Sequence, residues 1–225
     1  MSGVEAGSRA KRNKLVFISA TLLILLGFWA VLLLIPPTQT PSTDVSQSVP
    51  PAQPPAQPSG QESSGEEFAV IETKLGRIVI RFFPDIASVH VENFKKLVRT
   101  GFYNGTTFHR VIPGFMIQGG DPNSKDDDRT NDGLGGPGYS IDAEFSDMSH
   151  KRGIVSMARS SDPNSAGSQF FIVVSDSSSL NGQYSVFAEV IEGLEVVDAI
   201  VSQPKDSNDN PVEKISMTIT ITKNP

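Results

Sequence analysis

Two runs decide how this chain reads: Phe108-His109-Arg110-Val111-Ile112-Pro113-Gly114-Phe115-Met116-Ile117-Gln118-Gly119-Gly120-Asp121 and Gly167-Ser168-Gln169-Phe170-Phe171-Ile172. Both mix strand-forming apolar residues with a sparse polar set, one arginine and two glutamines. Alternation along a strand puts Met116 and Gln118 on one face, and Gln169 and Phe171 on another. Phe108 and Phe170 read as core. A glutamine sharing a face with a buried apolar residue needs its amide satisfied, so Gln118 and Gln169 point to a site. Neither run offers a plausible nucleophile, paired carboxylates or metal spacing. Such a site binds and polarises an apolar group but is ill suited to breaking a covalent bond.

Working outward, Phe68–Thr73 and Arg77–Phe83 read as strands joined at Lys74-Leu75-Gly76. Residues 88–100 switch to helical spacing: Val91, Phe94, Leu97 and Val98 fall on one side, with His90, Lys95, Lys96 and Arg99 elsewhere. Apolar runs at 107–112, 115–119, 153–158, 169–174, 185–191 and 215–222 alternate with Gly/Asn/Asp/Pro loops, and Leu194–Val201 forms a second short helix. This predicts one mainly β domain over 66–225. Its expected form is an eight-stranded antiparallel closed β-barrel capped by two α-helices.

Phe108–Asp121, Ser156-Met157-Ala158, Asn164 with Gly167–Ile172, and Leu180-Asn181-Gly182 together resemble the cyclophilins, the peptidyl-prolyl cis-trans isomerases of the eight-stranded barrel type. The resemblance covers roughly 68–222. It implies that Arg110 donates to the proline nitrogen, with the proline ring in a pocket of Phe115, Met116, Phe171 and Leu180 walled by Tyr184. Gln118 would orient Arg110 and the substrate carbonyl. Ala158, the backbone of Arg159, and Gln169 would hold the residues before the proline, with Gly133 in the same substrate-binding set. Rotation about X-Pro needs no cofactor and no metal, and the implied partners are proline-containing unfolded or extended polypeptides. A proline-binding adaptor with little turnover is the alternative on the same pocket. Alternation alone does not bring Phe115 and Met116 into one pocket, so a bulge or sharp bend after Pro113-Gly114 is expected.

Ser179 and Tyr184 stand where well-known members carry a tryptophan and a histidine, which predicts reduced cyclosporin binding. Arg159 stands where many members carry asparagine, in a role expected to be mainly backbone. The acidic loop 123–134 reads as solvated in preference to a calcium loop, since calcium loops alternate their ligands. Gly133, Gly135, Gly136 and Gly138 lack the GK[ST] of a phosphate loop and are expected to permit close backbone packing beside the groove.

The N-terminal part reads differently. Arg9, Lys11, Arg12 and Lys14 form a basic tail over 1–14, followed by 21 uncharged residues from Leu15 to Ile35. That run is long enough to span a bilayer and longer than a signal-peptide core. A transmembrane signal-anchor helix over 15–35 is therefore expected, with a cleaved signal as the alternative. The basic flank predicts a cytoplasmic N-terminus and an isomerase domain outside; a bacterial periplasm is the expected compartment, though a thylakoid lumen or a Gram-positive surface would read the same. Residues 36–65 hold eight of the 16 prolines with Ser and Gln and read as a disordered linker. Residues 66–225 carry 15 Lys and Arg against 22 Asp and Glu, a net charge of −7, which argues against nucleic-acid binding. With no cysteine there is no thiol chemistry, and a monomer is expected.

Overall fold

The computed structural model describes residues 65–225. The expected tail 1–14, anchor 15–35 and all but the last residue of the linker 36–65 lie outside the described residues. Among the described residues, no helix is long and apolar enough to cross a membrane.

The chain forms β1 (Phe68–Thr73), β2 (Gly76–Phe82), α1 (Ser88–Arg99), β3 (Phe108–Ile112), β4 (Met116–Gly119), β5 (Ile154–Met157), β6 (Phe170–Val173), β7 (Val186–Glu192), α2 (Leu194–Val201) and β8 (Met217–Thr222). All eight strands pair antiparallel in the order β3-β4-β6-β5-β7-β2-β1-β8. The eight strands and two helices fall on the segments that periodicity marked. The sheet forms a half-barrel and not the fully closed barrel expected. The ends of β3 and β8 meet around the single bridge Thr107–Ser216, through Phe108 N to Ile215 O at 3.1 Å, Met217 N to Thr106 O at 2.8 Å and Gly105 N to Met217 O at 3.0 Å. Beyond it, segment 205–211 takes the edge of β3. Val111 N donates to Asp209 O at 2.8 Å, and Lys205 Nζ donates to Val111 O at 3.2 Å. Asp209 (φ 65°) turns this segment, and Pro211, lacking an N–H, cannot extend it as a regular strand. A covered edge replaces a full β3–β8 ladder.

Alternation explains how one sheet makes both a core and a site. Ile117, Val155, Met157, Phe170, Ile172 and Phe187 point into the main core with the apolar face of α1. Their strand neighbours Met116, Ile154, Phe171, Val173 and Val186 form a second buried cluster on the outer face, joined by Phe115, Leu180 and Tyr184. The pocket floor is thus the reverse side of strands already fixed by the core.

Helix α1 departs from its amphipathic reading at one turn. His90, expected on the polar side, is fully buried, because the Glu144 loop lies across the helix start. Its Nδ1–H donates to Glu144 Oε2 at 2.6 Å, and the same carboxylate accepts from Val89 N and His90 N at 3.1 and 2.9 Å. Ala87 supplies no side-chain cap, so Glu144 caps the helix from outside its own segment.

Candidate active site

Site geometry starts at the turn between β3 and β4. Pro113 sets one corner, Gly114 sits at φ 76°, and Phe115 N donates to Ile112 O at 3.0 Å. Phe115 is therefore a turn residue and Met116 begins β4. Of the two expected devices, a bulge or a sharp bend, it is the bend that brings both side chains to one cavity. The bulge lies elsewhere, on β3, where Phe108 pairs with Gly119 and Arg110 with Gln118, leaving His109 as the extra residue. His109 is buried while Arg110 is exposed.

Nine of the eleven expected site residues line one cavity of about 190 Å³: Arg110, Phe115, Met116, Gln118, Ala158, Arg159, Phe171, Leu180 and Tyr184. The other two, Gly133 and Gln169, line an adjoining cavity of about 460 Å³. Gln118, Ala158 and Arg159 belong to both, so the two form one groove. Apolar side chains from β4, β6 and the 178–184 loop make the smaller end; loop backbone and polar groups make the larger. Tyr184 meets the Phe171 ring edge-on, with centroids 5.5 Å apart. Behind Phe171 the His150 ring stacks at 6.2 Å, its Nε2 3.0 Å from Ser156 Oγ. Ser179 is exposed and lines neither cavity.

A directional chain of hydrogen bonds runs through the polar side. Arg110 Nη1 donates to Gln118 Oε1 at 3.4 Å, and Gln118 Nε2 donates to Gln169 Oε1 at 2.9 Å. Gln169 Nε2 then donates to the carbonyls of Gly133 and Gly135 at 2.9 and 2.8 Å. The two amides that the sequence singled out are thus satisfied by each other and by the glycine-rich loop.

That loop has its own supports, which sequence reading missed. The Asp121 carboxylate accepts from Gly133 N and, at 2.8 Å, from Asn123 N. Asn93, an amide on the buried side of α1, donates to Gly167 O at 2.8 Å and accepts from Tyr139 Oη at 2.7 Å, tying together two residues of the larger cavity. An asparagine inside a helical apolar stripe was the available signal. The glycine expectation holds in part. A Cβ on Gly135 would collide with Asp121, and Gly133 and Gly138 sit at φ 86° and 87°, but Gly136 has open space around it.

The acidic loop is more than solvated. Residues Pro122–Lys125 and Arg129–Asn131 form 3₁₀ turns. Arg129 donates to Asn210 Oδ1, Pro211 O and Val212 O at 3.2, 2.6 and 3.0 Å, and Lys214 bonds Asp126 O and Asp127. Arg159 also does more than lend its backbone. Nε and Nη2 donate to Gln183 O at 3.1 and 3.0 Å, and the guanidinium lies 4.6 Å from the Tyr184 ring centroid.

Comparison with known proteins decides the family. A model described as cyclophilin type peptidyl-prolyl cis-trans isomerase/CLD matches residues 68–222. The chain belongs to the cyclophilins. A Brucella abortus protein named "Probable peptidyl-prolyl cis-trans isomerase" is 45% identical over 162 aligned residues, covering 68% of this chain and 83% of that one. The Dictyostelium discoideum "Peptidyl-prolyl cis-trans isomerase-like 3" is 43% identical over 161, covering 69% and 95%. Among solved structures, a Cryptosporidium parvum cyclophilin type peptidyl-prolyl cis-trans isomerase, crystallised in the presence of the dipeptide Ala-Pro, superposes with a TM-score of 0.64 at 36% identity. That match covers 70% of this chain and 99% of the other. As a cyclophilin this protein is a peptidyl-prolyl cis-trans isomerase.

Proposed function

We propose that this cyclophilin rotates X-Pro bonds of extended client polypeptides outside the cytoplasm, from a membrane tether, with Arg110 as its catalytic residue. The observation that carries the chemistry is the meeting of Arg110 and Gln118 with six apolar or aromatic side chains around one small cavity.

Rotation must pass through a twisted amide that has lost resonance, a barrier of about 18–20 kcal/mol. In that state the prolyl nitrogen regains a lone pair and becomes an acceptor. A planar X-Pro amide offers no such acceptor. A donor aimed at this nitrogen therefore favours the twisted state over both planar ones, which is the condition for catalysis. Arg110 fits the task. It is exposed at the mouth of the pocket, always charged, and fixed through Gln118 without a described carboxylate to neutralise it. Phe115, Met116, Phe171, Leu180 and Tyr184 would take the proline ring. Gln118, Ala158, Gln169 and the Gly133 loop would hold the residues before it, on polar groups that are already fixed. No bond is broken, so no nucleophile is required.

The basic residues before the uncharged run Leu15–Ile35, followed by a proline-rich spacer, support the tether and its orientation. A 30-residue spacer of this kind reaches roughly 30 Å as a coil and about 90 Å as polyproline II, which suits clients that are extended chains near a membrane. Two experiments test the reading. The full chain should accelerate cis–trans interconversion of a proline peptide in a protease-coupled assay; no rate above background would sink the enzymatic role and leave an adaptor. After fractionation, residues 66–225 should stay with the membrane and be open to protease added from outside; a protected or soluble domain would sink the tether.

A further inference from the structure

Two guanidiniums line the proline cavity, those of Arg110 and Arg159, and neither is ion-paired with a described carboxylate. Of the other described arginines, Arg77, Arg81, Arg99 and Arg152 each have a carboxylate partner, and Arg129, which donates to Asn210 Oδ1 and two carbonyls, lines neither cavity. Arg159 directs its donors to neutral carbonyls instead: Gln183 O at 3.1 and 3.0 Å, and Ser160 O at 2.9 Å. Its face rests over the Tyr184 ring at 4.6 Å. Carbonyl oxygens and a π-face hold a guanidinium in place without cancelling its charge. In a region with a net charge of −7 this is a local concentration of uncompensated positive charge.

Its position matters as much as its sign. Arg159, with Gln118 and Ala158, forms the rim shared by the two cavities. A chain whose proline fills the smaller cavity and whose preceding residues occupy the larger must cross that rim. We propose that Arg159 is a specificity-determining residue: it favours clients with Asp or Glu immediately before the proline and disfavours Lys or Arg there. This rests on the groove reading above.

A single exposed pair of this kind is worth at most about fivefold for attraction, with a comparable penalty for a like charge. The preference should fade with salt, since the screening length drops from about 10 Å at 0.1 M to about 3 Å at 1 M. The test compares three peptides differing only in Glu, Gln or Lys before the proline, assayed by NMR exchange with the detergent-solubilised full chain. The expected ratio of kcat/KM for Glu over Lys is about tenfold at low salt, falling towards one at 1 M salt and in Arg159→Gln, and retained in Arg159→Lys. Loosening of Tyr184 slows all three peptides together and leaves that ratio unchanged, so the ratio isolates the charge. A wild-type ratio near one, or a full ratio in Arg159→Gln, would overturn the proposal. Amide shifts of Gln169 and Phe171 on adding the Gln peptide report separately on the groove. Shifts elsewhere on the barrel would sink the groove reading and this inference with it, whereas shifts at the groove with equal rates sink only the charge preference.

Discussion

Gln118 Nε2 donates to Gln169 Oε1 at 2.9 Å, across the pairing of β4 with β6. This contact couples the Arg110 end of the groove to the loop beyond it, because Gln169 also holds the Gly133 and Gly135 carbonyls while Gln118 holds Arg110. Replacing Gln169 with Leu keeps the size and removes all three bonds, leaving two partly buried carbonyls unpaired. We expect a loss of about 1–3 kcal/mol in stability and a fall in kcat/KM of about tenfold or more, because Gln118 is free to turn away from Arg110. Denaturant titration and the isomerisation assay check both. Unchanged kinetics would show that Gln118 is held by other contacts.

Gly135 and Gly136 are neighbours with opposite expectations. A Cβ at 135 would strike the Asp121 carboxylate and approach Asn123 within 2.9 Å, whereas one at 136 meets nothing within 4 Å. Gly135→Ala should displace the loop that accepts from Gln169 and cost about 1–3 kcal/mol, lowering Tm by several degrees. Gly136→Ala should match wild type in thermal melts and in rate.

The Glu144 carboxyl is pushed up by partial burial, but hydrogen bonds from the His90 ring and from His90 and Val89 N–H outweigh this and hold it below its ordinary value of 4.5. A carboxyl lowered on folding stabilises above its unfolded value and loses that contribution as pH falls through the folded one. Glu144→Gln should cost about 1–2 kcal/mol at pH 7 through the weakened cap of α1. It should also flatten the stability loss below about pH 4.5. Urea midpoints across pH check both effects.

His109 is buried and neither ring nitrogen makes a well-formed hydrogen bond. Burial lowers its pKa below the ordinary 6.5, partly opposed by the charges of Asp121 and Asp132, with Arg110 acting in the same direction as burial. The unfolded chain therefore takes up this proton first as pH falls. Stability from a neutral His109 is complete above about pH 6.5 and declines below it. Burial lowers His150 as well, with Asn181 opposing, so the wild-type decline has two sources. His109→Phe should leave stability at pH 8 within about 1 kcal/mol and reduce the drop between pH 8 and pH 5.5. An unaltered drop would place the titration on other groups.

Strand positions were legible because period-two alternation records which residues face the core, and the outer-face cluster at Met116 and Phe171 follows from the same alternation. Arg110 and Gln118 were legible because a cation and an amide interrupt apolar runs. What failed was set by contacts distant in sequence. His90 looked polar until Glu144, 54 residues away, buried it. The β3 edge is covered by segment 205–211, which carries no strand pattern. Arg159 read as mainly a backbone contributor because its side-chain partners, Gln183 O and the Tyr184 face, lie in another loop. The turn at Gly114 was legible as a bend, but its type needed the Phe115–Ile112 hydrogen bond to show.

The central claim is that Arg110 acts on the twisted amide and not on the planar substrate. The most direct measurement compares wild type with Arg110→Ala for both the rate and the affinity of one proline peptide. A charged hydrogen bond made only in the transition state is worth about 1.5–3 kcal/mol, which predicts a fall in kcat of about 10- to 100-fold with peptide affinity changed by no more than about twofold. Turnover by Arg110→Ala at the wild-type rate, or a loss confined to affinity, would contradict the account.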